Sequence, residues 1–136
     1  MDIGKIGYFA QLTQRMGLLN DRQRLLAENV ANATTPRFVP RDVDMRAAER
    51  AAARGGGGGL RIAQTNSQHL GGSQAASNNA RVVNRPDSET TLDGNAVVLE
   101  EQMIRVAETR LQFETAIGLY QKGLQMMRTA TRRPGG

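Results

Sequence analysis

The sequence predicts an all-α fold in which a long N-terminal helix and a long C-terminal helix pack as a coiled-coil-like pair. Three observations carry this. Apolar residues alternate at three- and four-residue spacings in two stretches with no proline; those stretches sit near the two ends; and the chain between them is rich in Gly, Ser, Asn and Gln. With 136 residues, 39% hydrophobic, 4% aromatic and no Trp, the chain is one folding unit with too little apolar material for a large buried cavity. It divides into 1–44, a helix and a Thr-Pro loop; 45–92, a flexible middle segment; and 93–136, a heptad helix. The first and third parts form one helical domain.

The N-terminal helix is expected from about Ile6 to Ala33. Phe9, Leu12, Met16, Leu19, Leu26 and Val30 form its seam, Gln23 is the one polar member, and Leu18 and Leu25 widen it. Asn32 ends the helix, because Thr34-Thr35-Pro36 follows and proline disfavours the α region for the residue before it. Pro40 prolongs the non-helical stretch.

The middle segment has no aromatic residue, and its large aliphatics are isolated, so it lacks the apolar surface to offset its own ordering entropy. Met45 to Arg54 carries enough alanine for a helical turn or two before Gly55 to Gly59 break it. Short extended pieces fit around Arg61 to Ala63 and Arg81 to Val83.

Asp93-Gly94-Asn95 reads as a turn, with Asn95 as the N-cap of a helix starting at Ala96 and Glu100 and Glu101 complementing its dipole. Leu99, Met103, Val106, Phe113, Ile117, Tyr120, Leu124 and Met127 repeat at four-three spacing, with Arg110 the only polar member. Arg128, Arg132 and Arg133 close the positive end before Pro134-Gly135-Gly136. A two-helix hairpin leaves Leu18, Leu25, Ile104 and Leu111 outside its seams, and helices of other subunits are the simplest cover for them. The subunit-packing set is therefore Leu12, Met16, Leu19, Leu26, Val30, Leu99, Met103, Val106, Phe113, Ile117, Tyr120, Leu124 and Met127.

Composition narrows the function classes. The net charge is +5, and all but two of the 18 basic residues, Lys5 and Lys122, are Arg. These arginines are spread among acids rather than gathered in a block, which argues against nucleic-acid binding. No run of about 18 apolar residues occurs, so no membrane span is expected, and the N-terminus lacks the pattern of a cleaved export signal. Without cysteine and with His69 as the only histidine, the sequence offers no metal site, cofactor site or catalytic nucleophile pair. Gly55 to Gly59 is no phosphate loop, since neither Lys-Ser nor Lys-Thr follows it. Glu100 and Glu101 are adjacent, roughly 100° apart on a helix, and cannot converge as an acid/base pair. The expected chain is not an enzyme and takes no small-molecule substrate.

Leu26-Ala27-Glu28-Asn29-Val30-Ala31-Asn32-Ala33-Thr34-Thr35-Pro36-Arg37-Phe38, followed by Arg41-Asp42-Val43-Asp44, resembles the N-terminal signature of bacterial flagellar basal-body rod proteins. Asp93-Gly94-Asn95-Ala96-Val97 makes the resemblance closest to the proximal-rod type. The motif residues are Asn29, Ala31, Asn32, Thr35, Pro36, Phe38, Arg41, Asp42, Asp93, Gly94 and Asn95. Phe38 replaces the family's usual Tyr, and Arg37 its usual Gly, which implies that the backbone at Arg37 need not sit at positive φ. The resemblance implies a structural subunit exported unfolded, without a signal peptide, through the flagellar type III apparatus to the periplasmic rod. There its terminal helices would join a helical array that serves motility. Implied partners are copies of itself, other proximal rod proteins, the adaptor between membrane ring and rod, and the export-gate proteins. The rival reading is a cytoplasmic coiled-coil adaptor or regulator.

Overall fold

In a computed structural model that describes residues 7–53 and 81–132, the elements run α1 Gly7–Ala31, β1 Arg41–Val43, α2 Met45–Ala53, β2 Val82–Asn84 and α3 Leu99–Thr131. The two long helices, of 25 and 33 residues, pack side by side and antiparallel. Asn29 near the end of α1 meets Gln102 in the first turn of α3, and Phe9 at the other end of α1 meets Tyr120 edge-on, with ring centroids 5.1 Å apart. About 20 residues lie between these contacts along α1, so they stand roughly 30 Å apart at 1.5 Å per residue.

The helix pair is the architecture that the seams predict, and α1 stops at Ala31 beside Asn32. Asn32 Nδ2 donates to the Glu28 carbonyl at 2.8 Å, an acceptor that also takes the Asn32 amide at 3.1 Å, so the residue folds back on the last turn. A two-stranded antiparallel ribbon, with Arg41 opposite Asn84 and Val43 opposite Val82, lies against α1. No sequence signal marked β1, whose three residues are too few for alternation to register. Asp44 Oδ1 accepts from the Ala47 amide at 3.0 Å and starts α2. The helical and extended pieces at the two ends of 45–92 thus form where neighbours exist to hold them. Gly55 to Gly59, Arg61 to Ala63 and His69 lie outside the described residues.

Four expectations are corrected. Leu18 and Leu25 are covered within the chain, by Val43 with Met45 and Ala48 beside it, so they need no second subunit. The last helix begins at Leu99, and Asn95 does not cap it. Asn95 Nδ2 instead donates to the Asn32 and Thr35 carbonyls at 3.0 and 2.6 Å, while its Oδ1 accepts from Val97 N at 2.9 Å. Finally, Arg37 does take positive φ, at 58°. Its amide must reach the Asp93 carbonyl, at 3.1 Å, and that pairing turns the backbone left-handed without a glycine. Across from it Gly94, at φ 82°, would bring a Cβ within 3.1 Å of Arg37 Cγ, so glycine is required there.

Candidate assembly surface

The face that α3 turns toward α1 differs from the one its large apolar residues mark. Gln102, Thr109, Ala116 and Gly123, seven residues apart, are the buried members of α3. Val106, Phe113, Tyr120 and Met127 are half-buried alongside them. Small and polar residues form the centre line because α1 lies close: a Cβ on Gly123 would stand 3.0 Å from Phe9 Cζ. Reading for apolar residues alone shifted the seam by one position. The seven-residue recurrence of small side chains was the available signal.

The subunit-packing set divides accordingly. Leu12, Leu19 and Leu26 are buried inside the chain, and Met16, Val30, Val106, Phe113, Ile117, Tyr120, Leu124 and Met127 are half-buried. Leu99 and Met103 are not in the seam: they are 46% and 54% exposed, and Ile104 and Leu111 are 59% and 65% exposed. Ile104 and Leu111 stand two positions beyond Gln102 and Thr109, about 200° around the helix, on the side of α3 away from α1. Gln23 Oε1 is buried in the seam and accepts no hydrogen bond among the described residues.

A polar junction fixes the outer ridge in place. Asn29 Nδ2 donates to Gln102 Oε1 at 3.0 Å and to the Arg41 carbonyl at 2.8 Å, and its Oδ1 accepts from Arg41 N at 2.9 Å. One side chain so ties α1, β1 and α3 together. Gln102 Nε2 donates to both oxygens of Asp87, which also accept from Val98 N at 2.8 Å and from Arg105 Nη1 at 2.6 Å. The missing cap of α3 comes from Asp87, distant in sequence, and a carboxylate suits the positive helix end. Beside it, Arg22 holds buried Asp42 through Nε at 2.8 Å and Nη2 at 3.1 Å, and Arg85 Nη1 adds 3.2 Å. Sequence reasoning missed Arg22, Asp87, Gln102 and Arg105, because no spacing rule links residues contributed by three separate segments.

The motif residues converge on this end. Arg41 Nη2 meets Glu28 Oε2 at 2.7 Å, the Phe38 carbonyl accepts from Ala96 N at 3.0 Å, and Thr35 Oγ1 donates to Asn32 Oδ1 at 3.1 Å. Ala31 and Pro36 are exposed and join no bond of the junction. Asp93 is exposed; the Thr91 hydroxyl, then the Asn95 amide, hold its carboxyl below the ordinary value. Among the described residues no group of three metal-ligating side chains occurs, and no helix is long and apolar enough to cross a membrane. The junction is built to hold shape: each of its polar side chains makes at least one bond inside the chain.

No family model matches the sequence. Curated relatives do: a flagellar basal body rod protein FlgB of Cereibacter sphaeroides is 31% identical over 119 residues, 88% of this chain and 89% of its own length. The chain belongs to the FlgB family of flagellar basal body rod proteins. FlgB of Agrobacterium fabrum is 31% identical over 131 residues, 94% of this chain and 95% of its own length. FlgB of Salmonella typhimurium is 29% identical over 117 residues, covering 82% and 85%. As a FlgB-family member the chain is a structural protein of the flagellar basal body rod.

Proposed function

We propose that the chain is a proximal-rod subunit, exported unfolded by the flagellar type III apparatus, folding in the periplasm and packing through its terminal helices into a helical array that serves motility. The uncovered aliphatic ridge of α3 carries this reading: Leu99, Met103, Ile104 and Leu111 are held outward on a helix whose inner face is closed. A chain that acted alone would gain by making those positions polar. The ridge and the half-buried members of the subunit-packing set would meet copies of this chain, other proximal rod proteins, the ring-to-rod adaptor and the export gate, with no nucleic acid, cofactor or substrate involved. A cytoplasmic coiled-coil adaptor would not account for relatives named as rod proteins across several bacteria.

The test replaces the native gene with Val106→Asp or Ile117→Asp, which put a carboxylate beside the half-buried seam at a cost of several kcal/mol, roughly that of an unpaired buried charge. Swimming and the rods in isolated basal bodies should be lost while the protein is still made. Normal rods with either variant would refute assembly through these helices.

A further inference from the structure

The turn before α3 holds a reactive dipeptide in check. Asp93 is the only Asp or Asn of the 136 residues that is followed by glycine. An aspartyl–glycyl bond rearranges more readily than other aspartyl bonds, because glycine has no Cβ to shield its amide nitrogen. That nitrogen attacks the Asp Cγ, the carboxyl oxygen leaves with two protons as water, and a five-membered succinimide closes. Water then reopens the ring. Addition at the former α-carbonyl breaks its bond to the glycine nitrogen and leaves the main chain running through Cβ and Cγ, an isoaspartyl bond of unchanged mass with a carboxylate branch on Cα.

The structure opposes each requirement of this reaction. The Gly94 amide donates to the Thr91 carbonyl at 2.9 Å, so its N–H is engaged and not free to be lost. Asp93 Oδ1 accepts from the Thr91 hydroxyl and from the Asn95 amide, the latter at 3.3 Å, which fixes the carboxyl. The same bonds, Thr91 first, hold that carboxyl below its ordinary value, so the neutral form that can lose water is scarcer. The dipeptide is also hard to replace. A Cβ on Gly94, at φ 82°, would stand 3.1 Å from Arg37 Cγ, and the Asp93 carbonyl accepts from the Arg37 amide at 3.1 Å.

We infer that Asp93 is the site at which this chain forms isoaspartate, and that the folded turn from Thr91 to Asn95 suppresses the reaction while the unfolded chain undergoes it. The product would not rebuild this end of the molecule. The carbonyl that receives the Arg37 amide has left the main chain, and the backbone into Gly94 is longer by one carbon. Asn95, whose side chain holds the Asn32 and Thr35 carbonyls, would shift with it. Suppression needs only the turn and holds whether or not the chain builds a rod; on the rod reading, a chain waiting unfolded for export carries the risk for as long as it waits.

Full-length protein is incubated at one temperature and pH, folded in buffer and unfolded in guanidinium chloride. Peptide mapping then counts the equal-mass, separately eluting form of the peptide that contains Asp93. Conversion in denaturant should exceed that in the folded protein by about tenfold or more, since in the fold the reacting amide must first leave its hydrogen bond through local opening. Thr91→Val removes the hydroxyl from the carboxyl and should raise the folded rate several-fold, with circular dichroism confirming that the helix pair is intact. Asp93→Glu, whose ring would need a sixth member, should convert in neither state. Equal rates for the folded and unfolded parent would overturn the inference, as would conversion at another residue in place of Asp93, or none in denaturant. A folded Thr91→Val chain that converts no faster than the parent would refute the part assigned to the hydroxyl.

Discussion

Asp87→Ala is the sharpest test of the junction. The Asp87 side chain is wholly buried, and the Arg105 side chain only 14% exposed. Truncation removes acceptors from Val98 N, Gln102 Nε2 and Arg105 Nη1 together. Arg105 keeps only the longer contact to Glu101, at 3.3 Å. Breaking a buried pair by deleting one partner costs about 3–5 kcal/mol. Loss of a helix cap costs ~1 kcal/mol. The two share atoms and do not add in full, so about 3–5 kcal/mol is expected, a large part of a total stability on the order of 5–15 kcal/mol. Asp87→Asn keeps the shape and one acceptor and should lose about 1–2 kcal/mol. Arg110→Ala, in an exposed pair with Glu114, should change stability by about 0.5 kcal/mol or less. Urea unfolding of the purified protein, followed by helical circular dichroism, ranks the three. A loss for Asp87→Ala within about 1 kcal/mol of zero would mean that Asp87 does not hold α3, and the reasoning about the junction would be wrong.

Arg37→Gly should stabilise the protein by about 1 kcal/mol in the same assay, because it relieves the left-handed backbone at φ 58°; a loss of stability would show that the Arg37 side chain contributes more than the strain costs. Gly118 has no neighbour within 4 Å of an added Cβ, so Gly118→Ala should stabilise by about 1 kcal/mol from helix propensity alone. Gly123→Leu should destabilise by about 1–3 kcal/mol by driving into Phe9 and Tyr8, and equal melting shifts for the two glycines would refute the close approach of α1. Asp93 is held below its ordinary value by Thr91 and Asn95, so its contribution is present above the unfolded pKa of about 3.9 and is lost as pH falls through the lower folded value. Protection of the Gly94 and Asn95 amides, measured against the intrinsic exchange rate at each pH, should therefore fall in acid in the parent and be less pH-dependent in Asp93→Asn.

The parts of the fold that the sequence revealed are those that repeat. Phe9, Leu12, Leu19 and Leu26 recur at helical spacing, Asn32 and Pro36 end the helix, and the Asp93-Gly94 turn precedes α3. Periodicity exposes such features because each residue implies the next. The junction is opaque for the opposite reason: the family motif marks Asn29, but Gln102 and Asp87 join it only after separate segments have met, and each of those two alone looks like a solvated polar residue. The inner face of α3 was hidden more subtly. Its apolar residues do form a heptad pattern, but they flank a line of small and polar residues that actually contacts α1, and side-chain volume, not hydrophobicity, was the informative property.

That division of labour on α3 has a structural consequence. A stripe of Gln102, Thr109, Ala116 and Gly123 lets two helices approach closely but defines register poorly, since a seven-residue slip would again place the same row opposite α1. Directional bonds at one end remove the ambiguity. After such a slip Thr109 would face Asn29, and a lone hydroxyl, which in this structure already donates to the Arg105 carbonyl at 2.7 Å, could not accept from Asn29 while reaching Asp87. At the far end the rings of Phe9 and Tyr120 would be displaced by about 10 Å, two helical turns. The intrachain fold is thus specified by polar contacts at one end and an aromatic clasp at the other. The exposed apolar surface of α3, at Leu99, Met103, Ile104, Leu111, Leu119 and Met126, stays outside that specification, and burying it between subunits would add non-directional, area-proportional stabilisation without disturbing the register set within each chain.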